Sequence, residues 1–249
     1  MEPTKQSLNK KSLIVIVNNI KGSISKLNII LEKIMQSNTI DFLFLTGEVF
    51  SLQTKADDIS SISFKGQIII FDSSPIGEII RSKYEYEPYK LKNSVFLNRS
   101  GIFTPENSAL NICYLSGLEC KELLDKNGKD FVYTNKYYKY RDLKNILDKF
   151  KRIKNTTKKK IDFVLLSSIP EWYFSHYFEQ SKKDWRKKNV ILNEKKIKNS
   201  VSVCSNFLLH LFNPRYVLTS VDDFFFKNIN DRVMNTACCR TFFYSLGYL

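Results

Sequence analysis

Histidine is almost missing from this chain: two occur in 249 residues, and glycine and proline number only eight and six. His176 sits in the aromatic stretch WYFSHYF and His210 in the apolar FLLHLF, so each reads as a core or amphipathic-face side chain rather than a ligand. So few imidazoles exclude a histidine-built metal centre. The chain has no glycine-rich loop to cradle a phosphate, and no GxSxG elbow supports a serine nucleophile. The five cysteines, an odd number, include no CxxC pair. Cys238 and Cys239 are adjacent, while Cys113, Cys120 and Cys204 stand apart with no His or Cys at ligand spacing. This pattern fits reduced, mostly buried thiols of the cytosol or nucleus, not a disulfide framework or a zinc site. No apolar run approaches the roughly 20 residues that span a bilayer. The opening MEPTKQSLNKKS is polar and is expected to be a tail over residues 1–11, without the apolar core of a secretory signal.

What is present is a hydrophobic content of 43% and a formal net charge of +14. The first is enough for a substantial core, in one large domain or two small ones. The second suggests a polyanionic partner, with nucleic acid the usual one. Lys, Asn, Ile, Phe and Tyr are all abundant, as an AT-rich genome favours, so part of the lysine excess can equally be a solvated face. The excess is concentrated: residues 151–198 hold fourteen Lys/Arg against five Asp/Glu, a local net of +9. Within it Lys158, Lys159, Lys160, Lys182, Lys183, Arg186, Lys187 and Lys188 form clusters, with Trp172, Tyr173 and Trp185 among them. Phosphate attraction with aromatic stacking is how sequence-tolerant RNA binding is built.

The apolar periodicity alternates between strand and helix. Leu13–Val17 (LIVIV) reads as a buried strand. Ser23 is placed to cap a helix whose Ile24, Leu27, Ile30, Leu31 and Ile34 fall at helical spacing. Asp41–Leu45 is a second strand, so the chain opens as a βαβ unit with a parallel pair. Residues 51–63 read as loop or irregular helix, 67–71 as a strand, 76–84 as a helix. Residues 121–138 form a Tyr-rich excursion. A helix is expected over 140–153, an amphipathic helix or irregular segment over 201–212, and strands over 161–167, 216–220 and 240–246. Strands at both ends with helices between predict one layered α/β domain over 12–249.

The centre of the chain is a predicted β-hairpin. Gly101–Thr104 and Leu110–Leu115 flank the polar turn Pro105-Glu106-Asn107-Ser108. Leu110, Ile112 and Tyr114 can face one side while Asn111, Cys113 and Leu115 face the other, so the second arm is apolar on both faces, as in a strand buried between layers. Functional groups of α/β sheets gather at the carboxyl ends of strands. Those ends supply Asn18 and Asn19, Glu48, then Asp72, Ser73 and Ser74, and Ser167 and Ser168. Only Glu48 and Asp72 are carboxylates, too few for a hard divalent centre.

The hairpin wording, Arg99-x-Gly101-Ile102-Phe103-Thr104 followed by Tyr114-Leu115-Ser116-Gly117-x-Glu119, resembles a block of the CwfJ-type (Cwf-nineteen-like) splicing factors. Further segments in the same order resemble that family: Leu45–Phe50, Ile161–Pro170 (IDFVLLSSIP), Pro214-Arg215-Tyr216 and Arg240–Gly247. The resemblance covers nearly the whole chain from Leu13. It implies a metallophosphoesterase-like αββα fold, two packed sheets flanked by helices, related to the lariat debranching enzyme. It also implies a nuclear role at the intron-lariat stage of mRNA splicing and in intron turnover, with spliceosomal proteins or the debranching enzyme as partners. The CwfJ region with its HIT-like part, which full-length members carry after this domain, has no counterpart in these 249 residues.

The departures from the family pattern bear on activity. An active relative carries Asp-x-His in the first loop, where this chain has Asn19-Ile20-Lys21. It carries Gly-Asp where Gly47-Glu48 stands, Gly-Asn-His where Asp72-Ser73-Ser74 stands, and a histidine at the position of Val217. Loss of these ligands implies a pseudoenzyme with no cofactor and a vestigial pocket of Asn18, Asn19, Glu48, Asp72, Ser73, Ser74 and Val217. The competing expectations are an active metal-dependent RNA phosphodiesterase rebuilt on Glu48 and Asp72, and a purely electrostatic RNA binder.

Overall fold

A computed structural model describes residues 13–51, 56–83, 87–120, 137–156, 160–175 and 197–219, together with the backbone of 226–227, 233–235 and 241–245. The expected tail, most of the Tyr-rich excursion, His176, Lys158, Lys159 and the clusters from Lys182 to Lys188 lie outside the described residues.

The apolar run at the start forms β1 (Leu13–Asn18), and α1 (Ile24–Met35) returns the chain to β2 (Phe42–Gly47). The two strands are parallel, as the βαβ pattern predicts, with Ile14 opposite Phe42. A 3₁₀ turn (Ala56–Ser61) leads to β3 (Gln67–Asp72), which adds in parallel to β2 and is followed by α2 (Pro75–Lys83). Next comes a tight hairpin of β4 (Tyr89–Leu91) and β5 (Ser94–Phe96). The antiparallel central hairpin is β6 (Ser100–Phe103) and β7 (Ile112–Leu115). α3 (Tyr140–Thr156) precedes β8 (Phe163–Leu166), a strand shorter at both ends than the sequence suggests. The two-residue strands β9 (Ile169–Pro170) and β10 (Val201–Ser202) pair with each other ahead of α4 (Val203–Phe212). β11 (Tyr216–Thr219), β12 (Phe226–Lys227), β13 (Val233–Asn235) and β14 (Thr241–Ser245) close the chain.

Two six-stranded sheets result, ordered β14-β1-β2-β3-β5-β4 and β12-β13-β11-β8-β7-β6. In each, four parallel strands are bordered by one antiparallel strand at either edge. One core cluster joins Ile14, Ile16, Phe42, Phe44, Ile69 and Phe71 of the first sheet to Ile112, Tyr114, Phe163, Leu165 and Leu218 of the second, so the sheets pack face to face. Phe44 meets Phe163 edge-on at a centroid distance of 5.3 Å. The outer face of the first sheet (Val15, Val17, Leu43, Leu45, Ile68, Ile70) is covered by Leu27, Leu31 and Ile34 of α1. That of the second (Cys113, Leu115, Val164, Leu166, Val217) is covered by Ile146 of α3 and Leu208 and Phe212 of α4. The layering is helix, sheet, sheet, helix. β7 is buried on both faces, and its residues divide between the two layers as the hairpin reading requires.

Two local readings are corrected. Ser23 occupies the position before α1 without a side-chain capping bond. His210 lies on the exposed side of α4, the side that also leaves Val203, Phe207 and Leu211 uncovered, so of the two placements expected for it the core one is dropped and the helix-face one kept. Among the described residues no helix is long and apolar enough to cross a membrane.

Candidate functional site

The parallel order β1-β2-β3 brings three of the predicted strand ends together. Asn18 extends the register of Ile14 and Ile16 toward the second sheet. Its Oδ1 accepts from Thr46 Oγ1 at 3.1 Å, and its Nδ2 is buried with no hydrogen-bond partner among the described residues. Past the strand end the chain does not open into a cup. The Asn19 N–H donates to the Thr46 carbonyl at 3.0 Å, the Lys21 N–H to the Glu48 carbonyl at 2.9 Å and the Gly22 N–H to the Val49 carbonyl at 2.8 Å. The Glu48 N–H in turn donates to Asn19 Oδ1 at 2.8 Å. The loops after β1 and β2 are thus zipped along each other. Gly47 permits this at φ +73°: a Cβ there would overlap Oδ1 of both Asn18 and Asn19.

Asp72 is the hub beside them. It is fully buried, and its Oδ1 accepts from the Val49 N–H at 2.7 Å and the Ser74 N–H at 3.1 Å. Its Oδ2 accepts from Ser74 Oγ at 2.6 Å. Ser74 Oγ also accepts from the Gly77 N–H at 3.1 Å, which makes Ser74 the N-cap of α2 with Pro75 at the first helical position. Gly77 is required at that turn because a Cβ would strike Asp72 Oδ2. The Arg81 guanidinium, also buried, donates to the Asp72 main-chain carbonyl. Burial pushes the Asp72 carboxyl above its ordinary range, against the Ser74 and Val49 hydrogen bonds and the Arg81 charge. Burial likewise lowers Arg81 to about 10, with Asp72 and Glu78 opposing.

These residues do not fit the two-metal centre that the family resemblance implies. The first strand end offers amides. The carboxylate of Glu48, one third exposed, pairs with Lys21 Nζ at 3.3 Å. Both oxygens of Asp72 are committed to the protein itself. Among the described residues no group of three or more His, Cys, Asp or Glu could hold a metal ion. Val217 is not part of the group: it is buried in the outer core of the second sheet with Cys113, Leu115 and Val164. Ser73 is half-buried, and its N–H donates to the Gly47 carbonyl at 2.8 Å. Of the eight basic residues singled out in the sequence, Lys160 is described, and it is exposed.

A second polar cluster, at the far sheet, was not foreseen as a unit. Glu119 Oε2 accepts from Ser202 Oγ at 2.8 Å, from the Cys204 N–H at 3.0 Å and from the Tyr138 hydroxyl at 3.0 Å. Ser202 Oγ, 2.9 Å from the Tyr138 hydroxyl, also accepts from the Ser205 N–H at 3.0 Å and so caps α4. Burial drives the Tyr138 hydroxyl far up, and burial with the Glu119 charge raises the Cys204 thiol. A carboxylate at a helix N-terminus complements the helix dipole, so this cluster is a capping device. Its signal in the sequence is Glu119 at the close of the hairpin block and Ser202 ahead of an apolar helix.

No family model matches the chain, and no curated protein matches it. Among solved structures eight chains are similar. One, a crystal structure, covers 95% of this chain and 96% of its own length with a TM-score of 0.56 at 14% identity. At that identity the likeness concerns the fold: a mixed α/β architecture of two parallel-rich sheets flanked by helices.

Proposed function

We propose that this chain is a catalytically inactive metallophosphoesterase-like domain of the CwfJ type. It acts in the nucleus as an interaction module of the late, intron-lariat spliceosome. Its contacts are with spliceosomal proteins or the lariat debranching enzyme, and with RNA through its basic surface. The observation that carries the reading is the state of Asp72: a carboxylate at a sheet's functional edge whose oxygens hold Val49, Ser74 and α2 in place. Ligand positions converted into hydrogen-bonding structure are what remains when a fold is kept for its surface and the chemistry is dropped. Retention of the full chain on resin in nuclear extract should recover spliceosomal proteins or debranching enzyme. Recovery of neither would overturn the reading.

The second reading is an RNA phosphodiesterase rebuilt on Glu48 and Asp72. It is favoured by the partial exposure of Glu48, one residue from the Val49 N–H that binds Asp72. It would require Glu48 to leave Lys21 and Asp72 to give up its internal donors. The cost of stripping a buried carboxylate of its hydrogen bonds makes it the weaker of the two.

A further inference from the structure

We draw no further inference here: the strongest candidate, the apolar stripe that Val203, Phe207 and Leu211 expose along α4 beside Trp172, carries none because nothing among the described residues shows what covers it.

Discussion

Asp72 shows how a residue of reactive type becomes a structural one. Its three side-chain hydrogen bonds join the end of β3 to the loop after β2 and to the start of α2. Removing the carboxylate would strand the buried N–H groups of Val49 and Ser74, each at a cost of about 1 to 3 kcal/mol. Asp72→Ala is therefore expected to lower unfolding stability by about 3 kcal/mol, measured by urea denaturation. Asp72→Asn, which keeps one acceptor oxygen for the two amides, should lose about half as much. Equal losses, or none, would mean that these hydrogen bonds are not what Asp72 contributes. The sequence displayed the carboxylate at a strand end but not its partners. Two of its three hydrogen bonds come from Ser74, two residues on, while the Val49 donor depends on β2 and β3 lying side by side.

At the scale of elements, legibility followed the length of the apolar pattern. β1, β2, β3, β7 and α1 carry four or more apolar residues at a single period, and each was recognisable from it. β4 and β5 were missed because each has three residues and the turn between them is Lys92-Asn93, with Lys92 at φ 52° in place of the usual glycine signal. β9 and β10 have two residues each, below what periodicity can register, and exist because β8 and α4 bring them together. The N-terminus of α4 was legible as Ser202 before an apolar helix, but its Glu119 and Tyr138 partners are 83 and 64 residues away. Ser202→Ala should cost about 2 kcal/mol, roughly 1 for the cap and the rest for the stranded partners. Tyr138→Phe, which spares the cap, should cost about half that. A Ser202→Ala loss no greater than that of Tyr138→Phe, in the same urea series, would show that the cap carries little.

At the scale of the molecule, the two sheets repeat one plan, four parallel strands inside antiparallel edges, and turn apolar faces to each other and to the helices. The α/β layering was readable because β1, β2, β3, β7 and β8 are apolar on both faces. The face-to-face pairing of two separate sheets came from the family resemblance and not from periodicity, which cannot say which strands share a sheet. The carboxyl edge of the first sheet is where such folds place chemistry. Here that edge is closed by the zipped loops after β1 and β2 and by the Asp72 hub. The most direct test is calorimetric titration of the purified chain with manganese and zinc, with a debranching assay on the same sample. The account predicts neither stoichiometric binding nor cleavage of branched RNA. Stoichiometric metal that disappears in Glu48→Ala or Asp72→Ala, with cleavage that disappears alongside it, would contradict it and establish a rebuilt active centre.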